Sequence, residues 1–303
     1  MQATIELESE AGYFKVSDSG DFGEEGAELD RSPSGIFSTE FTTLTVSGAF
    51  QIGGFAAGQE IPVRKMTLTF HLHDIGEGVE DTVSRFRLLW GSVLHLLPVT
   101  WRYTSEYSGE RWLTLLLEKE IKFSQERDWN IQGYAKAVVS AIAVQPNYES
   151  PPLQVKATNP TSGTNTIWLP VWNQTDMKGW PEWSLKPGSS ATKFSFADFS
   201  FGNEQEIDAT WTVGQHASRM IATPAIRTMW SVMSEPMMDT YVAANLSNAN
   251  GQMGGVEPLY WIPPHTGGPN DPVLLPVTIE GPAGAEAVFT LRNFWSAESG
   301  LER

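Results

Sequence analysis

Two histidines, His71 and His73, stand two residues apart in the stretch HLHD, with Asp74 directly after them. On a strand, residues i and i+2 share a face, so the two imidazoles could hold a metal ion if a third ligand came from elsewhere. The alternation of RKMTLTFHLHD already accounts for the pair. Met66, Leu68, Phe70 and Leu72 take the inner face; Lys65, Thr67, Thr69, His71 and His73 take the outer one. His95, His216 and His265 lie in unrelated contexts, and no metal is expected. Acid–base chemistry would need paired carboxylates. Glu118 and Glu120 share a strand face, about 7 Å apart, a spacing that suits an inverting glycosidase. A catalytic pair needs a cleft that raises one pKa, however, and Lys119 and Lys122 beside these acids read as a charged, solvated ladder. No G-x-S-x-G, Walker loop, H-E-x-x-H or complete G-x-G-x-x-G occurs. No catalytic residue and no cofactor are assigned, and no enzyme is expected.

Aromatic side chains offer a third chemistry. WPEW and LYWIPPHTGG place Trp180, Trp183, Tyr260 and Trp261 beside prolines and glycines. Such rings could present a stacking surface to a glycan or a partner, or could fill a core and brace its corners.

The elements that must position these residues are mostly strands. Arg64–Asp74 alternates as a strand with one buried face. From Val79 the period changes: Val79, Val83, Phe86, Trp90, Val93 and Leu97 make one helical stripe that Pro98 ends. VTWRYTSEY and GERWLTLLLEKEIKF read as a hairpin whose return strand, Gly109 to Phe123, outruns its partner. SQERDWNIQ reverses the chain, and GYAKAVVSAIAVQ returns as a strand. PNYESPP, residues 146–152, reads as a linker between domains 1–152 and 153–303. Beyond it, TIWLPVW, EWSLKPG, TKFSFADFSFG, IDATWTVG, LLPVTIEG and AEAVFTLRNFW are short apolar segments cut by turns, as in an antiparallel sandwich or jelly roll. A helical turn is expected only near 228–233.

A chain of 303 residues with 41% hydrophobic and 18% charged residues suits two globular domains. The net charge of −16 repels phosphate backbones, so no specific nucleic-acid ligand is expected. Ten acids against Lys15 and Arg31 fall within residues 1–40, and SDSGDFGEEGAELDRSPSG reads as a solvated loop or arm. With no cysteine, disulfides, zinc–thiolate sites and thiol nucleophiles are absent. The N-terminal residues show no basic n-region or apolar h-region, and no apolar run approaches the length of a membrane span, so neither a signal peptide nor a membrane anchor is expected.

Taken in order, WRYTSEYSGERWLTLLLEKEI, RDWNIQGYAKAVVSAIAVQPNYESPP, NQTDMKGWPEWSL, FADFSFG, GGVEPLYWIPPHT and LPVTIEGPAGAEAVFTLRNFWSAESGLE resemble the minor tail proteins of actinobacterial siphophages that are of the distal tail protein type. The resemblance covers most of residues 36–302. It implies two β-sandwich domains. The first carries one inserted helix and a projecting hairpin that builds a hexameric ring; the second is galectin-like or similar to a carbohydrate-binding module. The implied partners are further copies of the chain, the tail tube, the tape-measure end and baseplate or receptor-binding proteins, with a host glycan as a further candidate. The implied location is the distal end of the tail in the virion, after synthesis in the host cytoplasm. On this view Glu118, Lys119, Glu120, Ile121, Lys122 and Phe123 leave their own sheet and pack on the next subunit. A two-domain carbohydrate-binding or carbohydrate-cleaving β protein is the alternative.

Overall fold

The computed structural model of the chain describes residues 3–18, 20, 23–31, 33–50, 52–124, 133–236 and 238–302. It is mainly β, as the alternating segments predict. The chain divides into two compact units. One comprises Met1–Ser150 and Trp295–Leu301; the other comprises Pro151–Phe294 and Glu302–Arg303.

In the first unit β1 (Ala3–Ser9), β2 (Gly12–Ser17) and β3 (Ala27–Leu29) precede a separate hairpin of β4 (Thr42–Val46) and β5 (Phe55–Glu60). Then come β6 (Arg64–His73), α1 (Val79–Leu89), and the short β7 (Gly91–Ser92) and β8 (His95–Leu96). β9 (Val99–Ser105), β10 (Gly109–Leu117), β11 (Lys122–Ser124) and β12 (Tyr134–Ala143) complete the run. One antiparallel layer orders β2, β1, β9 and β10; the other orders β3, β6 and β12. Their inward side chains and the buried stripe of α1 share one core, in which Phe86 lies 5.6 Å from Phe14 and 5.1 Å from Phe70. β10 belongs to both layers. Leu115 is paired with Val99 of β9, and the next residue, Leu116, with Ile142 of β12. A strand that changes layers closes one corner of a sandwich.

Several expectations need correcting here. The helix ends at Leu89, short of Pro98, because Gly91 adopts φ +80, and a Cβ there would lie 2.3 Å from the His95 carbonyl oxygen. Val93, expected on the helical stripe, therefore sits with Leu94 at the tip of the tight β7–β8 turn. The acidic stretch after Ser17 is not all solvated loop, since β3 pairs with Leu72–Phe70 and buries Ala27. The expected linker holds the start of a strand, β13 (Tyr148–Thr158). Its two prolines are exposed, and the Pro151 carbonyl accepts a bond from Asn293. The reversal expected at SQERDWNIQ falls largely on residues 125–132, which lie outside the described residues.

The second unit adds β14 (Gly163–Val171), β15 (Pro181–Lys186), β16 (Lys193–Ala197), the one-turn α2 (Glu204–Ile207) and β17 (Met220–Ala222). β18 (Trp230–Met233), β19 (Tyr241–Ala243), β20 (Val273–Gly281) and β21 (Glu286–Trp295) follow. One layer orders β14, β20, β16 and β17; the other orders β21, β15, β18 and β19. Trp183, Phe194, Phe196, Val277 and Phe289 meet between them. Residues 228–233 hold a strand rather than a helical turn. IDATWTVG is the end of α2 followed by turns, not a strand.

Candidate assembly surfaces

The β4–β5 arm is unlike the rest of the molecule. All of its strand residues are exposed, although it carries Leu44, Val46 and Phe55. At its tip Phe50 is 107% and Ile52 is 102% exposed, and Phe37 and Phe41 at its foot are each 60% exposed. The two strands pair only with each other among the described residues, from Thr42 opposite Glu60 to Val46 opposite Phe55. An isolated two-stranded hairpin is marginal in water, and an apolar one seeks cover.

The feet of this arm are fixed by one side chain. Arg64, directly after the arm, is 4% exposed. Its Nε donates to the Pro146 oxygen at 2.6 Å and its Nη1 to the oxygens of Gly35 (2.9 Å) and Phe37 (2.8 Å). Its Nη2 donates to the Thr39 hydroxyl at 2.6 Å. The guanidinium also lies 5.0 Å from the centre of the Tyr148 ring. Burial pushes its pKa down, while the charges of Tyr148, Glu298 and Glu40 act the other way. Gly35 makes the approach possible: at φ +81 it sits against the Lys65 carbonyl, where a Cβ would come within 2.1 Å. Thr39 adds backbone and hydroxyl bonds to the Ser296 oxygen, at 2.6 and 2.9 Å. The chain's last turns are held comparably. Arg111, fully buried, donates to the oxygens of Ala297 and Gly300, both at 2.7 Å, and stacks 3.8 Å from the Trp295 ring.

The extension after Leu117 does not leave its own core. The Glu118 amide donates to the Ser140 oxygen at 2.9 Å, and Lys122 to Ser124 pair with Val138 to Lys136 of β12. Ile121 and Phe123 are partly buried against the first unit's core, and the Arg87 guanidinium lies 4.5 Å from the Phe123 ring. Apolar burial and strand pairing are both available at home, which is why the ribbon folds back. Glu118, Lys119, Glu120 and Lys122 do remain exposed, with Glu118 3.4 Å from Lys65. Glu118, Lys119 and Glu120, together with Ile121, Phe123 and the β7–β8 turn, border an open cleft of about 630 Å³.

Of the four aromatic residues, three are buried in the second unit. Trp183, Tyr260 and Trp261 are 2%, 1% and 4% exposed, which leaves no face for a sugar. Trp183 packs on Phe196 and Phe289, and the Tyr260 hydroxyl lies 2.5 Å from His216 Nδ1. Trp180, half-exposed, meets Trp261 edge to face at 5.2 Å, and the Lys178 ammonium lies 3.7 Å from that ring. The histidine pair serves strand pairing. His71 faces Asp30 at 3.5 Å and Tyr134 at 2.5 Å, and His73 faces Glu28 at 3.6 Å.

Buried polar groups in the second unit escaped the sequence reading. Asp198 pairs with Arg219 and accepts the amides of Leu259 and Tyr260. Glu204 accepts from the Ser200 hydroxyl at 2.6 Å and the His216 amide at 3.0 Å. Burial raises the Glu204 pKa, but the bonds from Ser200 and from the backbone of His216 and Gly214 outweigh it and bring it to about 2. These groups tie loops together. The arm also went unread, though its signal was present: apolar residues without alternation, among Thr, Gly and Ala, and no charge between Glu40 and Glu60.

No family model and no curated protein matches the sequence. Solved structures do match its fold. The crystal structure of SPP1 Dit, described as a paradigm of hub adsorption apparatus in phages infecting Gram-positive bacteria, is similar with a TM-score of 0.58 at 11% identity. The match covers 97% of this chain and 99% of that one. A chain of the phage P2 baseplate in its activated conformation with Ca is similar with a TM-score of 0.51 at 10% identity, over 97% of this chain and 98% of that one. The chain thus has the fold of a phage distal tail protein along nearly its whole length.

Proposed function

We propose that the chain is a structural component of a phage tail tip, a distal tail protein that closes into a six-membered ring and performs no catalytic step. The ring would join the tail tube and tape-measure end to baseplate or receptor-binding proteins, at the distal end of the virion's tail. Residues 1–152 would build the ring, and 153–303 would be the module that meets partners. The observation that carries this reading is the β4–β5 arm: an apolar hairpin, anchored rigidly at its feet and wholly exposed along both strands, is what a head-to-tail contact between copies requires. The fold likeness to a hub protein supports the same reading. Buried Trp183, Tyr260 and Trp261 weigh against the carbohydrate alternative. Light scattering on the purified chain, with imaging of assembled tails, tests the reading. A six-fold species located at the tail tip is expected; a chain that stays monomeric and binds glycans would overturn it.

A further inference from the structure

In the second unit, β14 is an edge strand with little to guard it. Among the described residues it pairs only with β20, and its register runs from Gly163 to Val171 without a bulge. Sheets keep their edges from further pairing by short strands, prolines, bulges or charges. Other strands of this unit follow that rule: β17 and β19 have three residues each, and β13 carries Pro151, Pro152 and Lys156. β14 has nine residues and no charge, and Trp168 on it is 57% exposed.

Two prolines set the phase of this edge. In an antiparallel ladder every second residue exchanges backbone bonds with its partner, and the residues between point away. Pro170 lies opposite Leu274, and Pro276 lies opposite Trp168. Neither proline has an N–H to exchange, so the even-numbered residues of β14 turn their backbone away from β20. The Thr166 and Thr278 hydroxyls, 2.8 Å apart, agree, because side chains come closest in pairs that exchange no backbone bond. Thr164, Thr166 and Trp168 thus direct N–H and C=O to the open edge, and Pro170 its C=O.

We propose that this edge pairs with β14 of a second copy of the chain, antiparallel about Ile167. Thr166 then faces Trp168 of the second copy and Thr164 faces its Pro170, so each outward N–H finds a carbonyl. The two indoles take diagonal positions on one face, within reach of each other. Charge selects the occupant. The chain carries −16, so most of its surface repels a copy. β14 brings no charge to the axis, and the one acid of β20, Glu280, lies 3.8 Å from Lys193. The contact is isologous and leaves the arm free, so it goes beyond the ring reading and does not depend on it.

Full-length chains carrying Phe50→Ser with Ile52→Ser test it, because contacts through the arm tip are then removed. In that background Thr166→Lys with Trp168→Lys sets like charges opposite each other across the two-fold axis, and Thr166→Glu with Trp168→Glu does the same with the other sign. Native mass spectrometry of the background chain is expected to show a two-chain species. Each charged variant alone should need at least about tenfold more protein to pair. An equimolar mixture of the two should restore pairing as one chain of each kind, a restoration that a misfolded variant does not give. A background chain that stays single would leave the edge to a strand of some other protein and overturn the inference. So would a lysine variant that pairs as the background does, or a mixture that fails to restore pairing. None of these outcomes touches the ring reading, which the wild-type chain tests.

Discussion

The arm from Phe37 to Val63 and the ribbon from Leu117 to Phe123 are both β extensions with apolar side chains, yet they find opposite fates. The ribbon turns Ile121 and Phe123 onto its own core and borrows an edge from β12. The arm turns Leu44, Val46, Phe50, Ile52 and Phe55 outward and pairs only with itself among the described residues. The difference lies in what each leaves behind. β10 is already shared between two layers at Leu115 and Leu116, so its continuation has a neighbour waiting. The arm springs from between Thr39 and Arg64, where hydrogen bonds to backbone oxygens hold its feet but no sheet edge continues beside it. Length of an extension is therefore no guide to assembly. The presence or absence of a local edge is.

The most damaging way to break this contrast is at the arm's feet. Arg64→Met leaves the oxygens of Gly35, Phe37 and Pro146 without their buried donor, at about 1–3 kcal/mol for each group left unsatisfied. A loss of about 3–5 kcal/mol is expected, read as a lower urea midpoint. The next test sets the two extensions against each other in the isolated chain. Ile121→Ser with Phe123→Ser should cost about 2–4 kcal/mol, because both side chains are half-buried at home. Phe50→Ser with Ile52→Ser should stay within about 0.5 kcal/mol and act on assembly alone. Equal losses for the two pairs would mean that the arm also packs on its own chain.

Much of the framework was legible in the sequence, and what was not has physical reasons. The β6 alternation from Arg64 to His73 holds residue for residue, because one face is core and period two is then obligatory. The helix start at Val79 was legible from Glu80 and Asp81 and the apolar stripe; its end was not, because the stripe continues to Leu97 while Gly91 turns the backbone away. Aromatic residues beside Pro and Gly look alike in sequence whether exposed or buried, and Tyr260 is held by Asp198, the partner of Arg219, and by His216, which come from a segment with no periodicity. The arm carries no periodic signal either, since both of its faces are exposed and neither is set by a core.

A pH-dependent effect, full at neutral pH and fading in acid, belongs to the second unit. Glu204 is held at about 2 when folded, against an ordinary value near 4.5. A carboxyl with a depressed folded pKa stabilises above its unfolded pKa, and that stabilisation is lost as pH falls from about 4.5 toward 2. Thermal melts should therefore show Glu204→Gln less stable than wild type at pH 7 and the gap narrowing toward pH 3. A constant gap would mean that the carboxylate's charge does not matter and only its shape does.

The smallest expected effect concerns Trp180, which stays half-exposed while Trp183, Tyr260 and Trp261 are buried. Trp180→Ala removes an edge-to-face contact with Trp261, worth about 0.5–1.5 kcal/mol, while Trp261 keeps the Lys178 ammonium against it. The variant should unfold slightly earlier and assemble as the wild type does, because the apolar surface proposed for ring assembly lies on the arm in the first unit. If it instead lost assembly with its stability unchanged, the second unit would carry a ring-forming surface of its own. The contrast between the two units would then have to be redrawn around Trp180.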